Sequence, residues 1–542
     1  MKKLFLGNVL TVDENNTKVE AVVVNDGIIE YVGNKEEAAK LIDNETEIID
    51  YKNNYIYPGF IESHSHGFFA GYRSIGQANL SSILSGSKDY IPVIKKYIED
   101  NPNKEVYMAA GWNETDEVLD HTFLDDINSE KVLVMNTAGG HSFLLNTKAM
   151  EYFNINKDAV NKYGTSLIHV DDNGEPTGYV CELVAVEILN RIKVEFEDAK
   201  KYILDWQKTA FSKGYTTVCD AGSELFYKEA NEAYAELEKE NKLKLRTYAF
   251  STVDDNVDDP KAAILNIVDK QKKYNNKYFN IIGAKVFLDG VAEARTSWTI
   301  DDYDDEKGYS GLKRFSNEEK MISLINEASK NHLSVHAHSE GDGATKFMLE
   351  CIGKSQSITK DYDQRNVIAH LHFVDKKDFD NMAKTNSIPL VAPLWTPKFP
   401  GAFESEVKSF GQRANSAYPI KSFFDKECKV CYHTDYPISP ILDVARSFYM
   451  AQTRTIPEEK EMGFGNIARN TEEAVSRLDS LKALTINCAY ELKQEKNLGS
   501  IEKGKIANFV VMDDDLLTCQ LEKLPKVKLI CTIVDGEEVY HS

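Results

Sequence analysis

The chain has 542 residues, with 64 Lys and Arg against 86 Asp and Glu, and a formal net charge of -22. That acid surplus argues against nucleic acid, which needs a basic footprint, and disfavours an anionic membrane surface. With 42% hydrophobic and 10% aromatic residues the chain is not a disordered one, and its length allows one large barrel with attachments.

The opening MKKLFLGNVLTV reads as a strand rather than a signal peptide, because acidic and amide residues follow where a cleavage region would sit. No window approaches the roughly 18 uninterrupted apolar residues of a membrane helix. Further short strands follow in AVVVNDGIIEYVG, with a turn at Asn25, Asp26 and Gly27, and in TEIIDYKNNYIYPG. The C-terminus returns to this style in ANFVVMDDD and VKLICTIVDGEEVY, with a second Asp-Gly hairpin signal at Asp535 and Gly536. Residues 1–57 and 491–542 are therefore expected to form one β domain split in sequence around a middle segment, residues 58–490.

In the middle, eight apolar runs read as strands: IYPGFIESHSH, GYTTVCDAG, LRTYAFST, NIIGAKVFLDG, HLSVHAHSEGD, RNVIAHLHFVD, SIPLVAPLW and KVCYHTDYP. Amphipathic stretches fit between most of them, such as AKKYILDWQKTAFSKG with Gly214 as a stop signal, and SNEEKMISLINEASKNH with Ser316 as the expected N-cap. Eight β/α alternations are the count for a barrel with its chemistry at the C-terminal strand ends. The gap between strands one and two, about residues 70–200, is too long for one crossover and reads as an insertion over the barrel mouth. Eight cysteines spread over the chain form no disulfide framework, so the cytoplasm is the expected compartment, and the close pair Cys428 and Cys431 reads as reduced strand cysteines.

The strongest local signal is His64 and His66 in PGFIESHSHGF. Residues two apart on a strand point to the same side, so both imidazoles can converge on one ion. An HxH pair alone is weak, but this one ends the first strand. His338 ends the fifth strand, His370 the sixth and Asp435 the eighth. Each alone also reads as a core histidine or a turn-capping aspartate; together they suit zinc or a similar divalent ion. Lys285, in the apolar setting of GAKVFLDG, is costly to bury as an ammonium and stands where a two-metal site would need one more ligand.

These motifs, with GWNETDE, AGGHSFLLNTKAM, DDNGEPTGYVCE, AKVFLDGVAEARTSW, QRANSAYPI and GSIEKGKIANFVVMD in this order, resemble the YtcJ-like, amidohydrolase-3 metal-dependent hydrolases of the amidohydrolase superfamily over nearly the whole chain. The resemblance implies an α/β fold, a (β/α)8 TIM-like barrel with a split β-sandwich from both termini and a long insertion after strand one. It implies two divalent ions, zinc foremost, with His64 and His66 on one, His338 and His370 on the other, Asp435 completing the first, and Lys285 bridging as a carbamate derived from carbon dioxide. Aligning HSEGD and the sixth-strand motif with the family prefers His338 over His336 and His370 over His372, and leaves His336 and His372 in layers below the site. Asp435 is implied as catalytic base and then acid. His141 in AGGHSF is implied as a catalytic and substrate contact, Trp112 and Asn113 as pocket residues, and Arg295 as either a carboxylate reader or a partner of nearby acids.

The chain departs from the family at Asn113, where Asp is common, at PLWTP, and at His433, where Gly is usual. The implied activity is hydrolysis of a C-N bond in a small-molecule amide, cyclic amide, or N-acyl or N-formyl compound. An esterase or lactonase on the same site, or a noncatalytic interaction protein on this scaffold, are the alternatives. The expected partner is the small-molecule substrate, with no nucleic acid or membrane; a homodimer is compatible with the sequence.

Overall fold

The computed structural model describes residues 1–80, 83, 86–112, 119–137, 142–181, 183–457 and 467–542. It divides into two compact units, one of residues 1–67 with 207–542 and one of residues 68–206.

In the first unit the chain ends meet in one seven-stranded sheet. Its order is Glu537–His541, Leu529–Val534, Phe509–Met512, Glu47–Pro58, Lys2–Leu10, Lys18–Asn25 and Ile28–Gly33. The seam is the antiparallel pairing of Phe509–Met512 with Glu47–Pro58, where Val511 faces Ile56. Apolar alternation gives this sheet a core of Phe5, Val22, Val24, Ile56, Phe509 and Val511 on one face, and of Leu4, Ala21 and Val23 on the other. Both expected hairpins are present, with Asp26 and Gly27, and Asp535 and Gly536, all at positive φ as a two-residue turn of this kind requires.

The same unit holds eight parallel strands: β1 (Phe60–Ser65), β2 (Tyr215–Asp220), β3 (Arg246–Thr252), β4 (Phe279–Phe287), β5 (Ser334–Ser339), β6 (Val367–His370), β7 (Ile388–Val391) and β8 (Cys431–Tyr432). They are hydrogen-bonded in the order β8-β7-β6-β5-β4-β3-β2-β1, and a parallel bridge from Ser65 to Tyr436 brings the two edges together into a near-barrel. Most of the strand residues are buried on both faces, which is why they read as continuous apolar runs. Helix Glu318–Lys330, between β4 and β5, buries Met321, Leu324, Ile325 and Ala328 at helical spacing. Its cap is Asn317 and not Ser316, because the Asn317 side chain accepts the Lys320 amide at 2.9 Å.

The second unit has its own six-stranded sheet, in the order Ile168–Val170, Pro176–Cys181, Ser142–Leu145, Val132–Thr137, Val106–Trp112 and Ala78–Asn79. Tyr107, Leu133, Met135 and Leu144 pack in its core. Among the described residues no helix is long and apolar enough to cross a membrane, and none of the eight cysteines is in a disulfide.

Candidate metal centre

Strand alternation sends the side chains of β1 and the following turn inward, and His64 and His66 sit edge to face, ring centroids 5.4 Å apart. Their Nε2 atoms lie 3.4 and 3.2 Å from the same oxygen, Asp435 Oδ1. Sequence reading put Asp435 at the end of strand eight; β8 stops at Tyr432, and Asp435 lies three residues on, held by its own amide donating to the His64 carbonyl at 3.0 Å. Asp435 has φ +57° and His370, the last residue of β6, has φ +83°. Left-handed backbone at a non-glycine residue costs on the order of 1–3 kcal/mol, and here both cases carry polar side chains in one site.

His370 sits 4.9 Å from His64 and 4.5 Å from His338, centroid to centroid. One atom from each of His64, His370 and Asp435 lies within 4.8 Å of the others. His66 lies on the Asp435 side of this trio and His338 on the His370 side. Among the described residues no donor reaches Asp435 Oδ1 in hydrogen-bonding geometry, and His66 Nδ1 and His370 Nδ1 are also without partners. A buried carboxylate oxygen between two imidazole nitrogens, bonded to neither, is an arrangement that a divalent cation satisfies. The residues present therefore fit a divalent metal ion.

Lys285, at the inner face of β4, is 1% exposed, with its ammonium 4.9 Å from the Phe287 ring. Burial pulls its pKa down to about 8, partly offset by the charge of Asp435. A larger share of the amine is neutral near physiological pH than for an exposed lysine. Burial, followed by the Lys285 charge, holds His64 well below the ordinary imidazole range, and burial followed by His338 does so for His370. Both therefore stay neutral, as ligands must. Burial by itself would raise the Asp435 carboxyl, but His66, His433 and Lys285 outweigh it and hold the group below its usual range.

Several supporting residues escaped sequence reading. Asp289 accepts at Oδ1 from the Glu340 amide and at Oδ2 from the Gly341 and Trp298 amides, and its Oδ1 faces His338 Nδ1 at 3.1 Å. A carboxylate there accepts a hydrogen bond from a protonated Nδ1 and leaves the Nε2 lone pair of His338 for a metal. Glu62 accepts from the His64 amide, the Thr434 amide and the Thr434 hydroxyl, tying the HxH turn to the Asp435 turn. His336 does lie deeper in β5, with Nε2 2.9 Å from His64 Nδ1. His372 does not lie below the site: β6 ends at His370, and beyond it His372 meets Glu340 at 3.2 Å and Glu406 at 2.8 Å, while Arg469 clasps Glu406 with both terminal nitrogens. His433 is buried with both ring nitrogens unpartnered among the described residues, its ring 5.2 Å from His64 and 5.1 Å from His370. Trp395, from the unusual PLWTP segment, stacks on His370 at 5.5 Å.

Trp112 ends strand Val106–Trp112 in the core of the second unit, edge-on to Tyr179. Asn113 and His141 lie outside the described residues. Arg295 spends its guanidinium on Asp305 and Glu306.

A family model described as "Amidohydrolase family" matches residues 47–540. The chain is 24% identical to the putative amidohydrolase YtcJ of Bacillus subtilis (strain 168), covering 100% of this chain and 99% of that one. It is 22% identical to an N-substituted formamide deformylase of Arthrobacter pascens, covering 98% and 96%. The crystal structure of an uncharacterized metal-dependent hydrolase from Pyrococcus horikoshii OT3 shares the fold, with a TM-score of 0.76 at 22% identity over 96% of this chain and 99% of the other.

Proposed function

Because the chain belongs to the amidohydrolase family, we propose that it is a metal-dependent hydrolase of a carbon-nitrogen bond in a small molecule: an amide, a cyclic amide, or an N-acyl or N-formyl compound. The observation that carries this reading is the pair of imidazole nitrogens, His64 and His66, directed at one unbonded oxygen of a buried carboxylate, Asp435. The formyl-amide end of the substrate range is supported by the relative named as an N-substituted formamide deformylase.

In this reading His64, His66 and Asp435 would hold one divalent ion and His338 and His370 a second, with Lys285, carboxylated to a carbamate, as a further ligand. Imidazole and carboxylate donors favour zinc. Divalent ions held there would supply Lewis-acid polarisation of a carbonyl and lower the pKa of a water towards about 7. Asp435, kept ionised, would accept the proton of an attacking water at a carboxylate oxygen and return it to the leaving nitrogen. The Asp289 carboxylate fixes the tautomer of His338. Burial leaves Lys285 with enough neutral amine to add carbon dioxide. The seven-stranded sheet built from both chain ends supports a split β domain, and the free cysteines suit the cytoplasm.

The test is a matched panel of N-formyl amines, cyclic amides, esters and lactones against zinc-loaded enzyme, with Asp435→Asn alongside. The reading expects C-N cleavage that Asp435→Asn abolishes in a folded protein. Preference for esters or lactones moves the assignment to the oxygen analogues, and inertness with metal fully loaded removes it.

A further inference from the structure

Below the metal centre, towards the N-terminal ends of the strands, the barrel interior is a tight apolar cluster that includes Ile61, Val367, Ala369, Ile388, Leu390 and Leu492. Into it project three cysteines from separate elements, Cys219 of β2, Cys431 of β8 and Cys488 of helix Ile486–Glu491, all 0% exposed. Glu491, one helical turn after Cys488 and so on the same face, joins them at 1% exposure. One ligand atom from each of Cys431, Cys488 and Glu491 lies within 4.8 Å of the others, and so do those of Cys219, His336 and Glu491.

Two observations make this more than a set of packed thiols. Among the described residues neither Glu491 carboxylate oxygen makes a hydrogen bond of acceptable geometry, its polar neighbours being the Ser63 hydroxyl and the Cys431 thiol, and His336 Nδ1 is unpartnered while its Nε2 meets His64. Leaving such groups unsatisfied in an apolar core costs several times what a satisfied pair contributes, so each calls for an explanation. In addition, a cleft of about 160 Å³ has Glu491 among its lining residues, with Tyr248, Ile281 and Ser334. A buried metal site needs an entry path.

We propose that Cys431, Cys488 and Glu491, with Cys219 and His336 alongside, form a second metal site for a thiophilic cation of the zinc class, distinct from the histidine-rich centre above it. Thiolate sulfur with one carboxylate oxygen is a donor set that selects such ions over magnesium or calcium. On loading, the two thiols and the carboxylic acid release their protons to solvent, so a divalent ion meets two thiolates and one carboxylate. Cys488 then gives up the bond that its thiol donates to the Ala483 carbonyl at 2.8 Å. The ion ties β8 to helix Ile486–Glu491, and His336 lies between this site and His64.

The test uses cobalt(II) as the only metal, added to full-length protein stripped of its own ions. Thiolate ligation gives an intense near-ultraviolet charge-transfer band, whereas nitrogen and oxygen ligands give only weak visible bands, so the band reports the lower site alone. The proposal expects that band in the wild type, its loss together with one equivalent of bound cobalt in Cys431→Ser and in Glu491→Gln, and its persistence in Asp435→Asn. The nearly isosteric Glu491→Gln keeps the test usable if the cysteine variant fails to fold. A cobalt-loaded wild type without the band, or a band that survives both lower-site variants, overturns the proposal. Persistence in Asp435→Asn separates this outcome from any failure of the upper site.

Discussion

Asp289→Asn keeps side-chain volume while exchanging one acceptor oxygen for an amide donor. In one orientation the new NH2 group confronts the Gly341 and Trp298 amides, which lie 2.8 and 3.0 Å from Oδ2. Two buried donors then lose their acceptor, at about 1–3 kcal/mol each. In the other orientation it confronts His338 Nδ1, 3.1 Å from Oδ1. The Glu340 amide, also 3.1 Å from Oδ1, retains the oxygen at Oδ2, 3.2 Å away, and the imidazole can answer by moving its proton to Nε2, at small cost to folding. The second orientation therefore prevails, and its cost falls on metal binding, because a protonated Nε2 has no lone pair to offer. Outer-sphere changes of this kind typically lower metal affinity or activity by roughly 10- to 100-fold, about 1.4–2.7 kcal/mol. Zinc affinity from chelator competition, with urea midpoints as a folding control, reads the effect: affinity and turnover fall together while the midpoint moves little. Wild-type affinity and turnover in Asp289→Asn would refute the tautomer argument.

Burial pushes the Glu62 carboxyl up to about 8, so Glu62→Gln imitates its protonated form and costs about 1 kcal/mol or less in urea unfolding. Glu62→Ala leaves the His64 and Thr434 amides unpaired and costs about 2–6 kcal/mol; equal costs for the two variants would contradict this. Burial would raise the Asp535 carboxyl, but Arg246, Lys277 and Tyr278 hold it below the ordinary value of 3.8. A depressed acid contributes stability that is present above its unfolded pKa and lost as pH falls through the folded one. Asp535→Asn should therefore flatten part of the wild-type loss of stability below about pH 4, and an unchanged acid limb would count against the ion pair. Lys285→Ala should abolish turnover with the fold intact by circular dichroism, and full activity would exclude Lys285 from the chemistry.

Much of this architecture was legible because its signals are local. The eight barrel strands are buried runs bounded by turns, and the period-two spacing of His64 and His66 places both rings on one side of β1. The strand-end positions of His338 and His370 followed from the same reading. What escaped depends on contacts between residues far apart in the chain. Asp289 and His338, or Glu340, His372, Glu406 and Arg469, share no periodicity that a sequence window can register. His372 was placed in a lower layer by alignment of the sixth-strand motif with the family, but β6 ends at His370, whose positive φ turns the chain before His372. Cys431 was weighed against its sequence neighbour Cys428, but its neighbours in the barrel floor are Cys488 and Glu491, contributed by a helix more than fifty residues on. The sheet of the second unit was missed because that stretch was read only as too long for a crossover.

The central claim is that the histidine and aspartate cluster holds two divalent ions bridged by a modified Lys285. Anomalous diffraction from crystals of the zinc-loaded protein tests it most directly. The account predicts one peak among His64, His66 and Asp435, a second between His338 and His370, and density at Lys285 extended by a carboxyl group. A cluster without anomalous signal in zinc-saturated protein, or a free Lys285 amine beside a single ion, would contradict it.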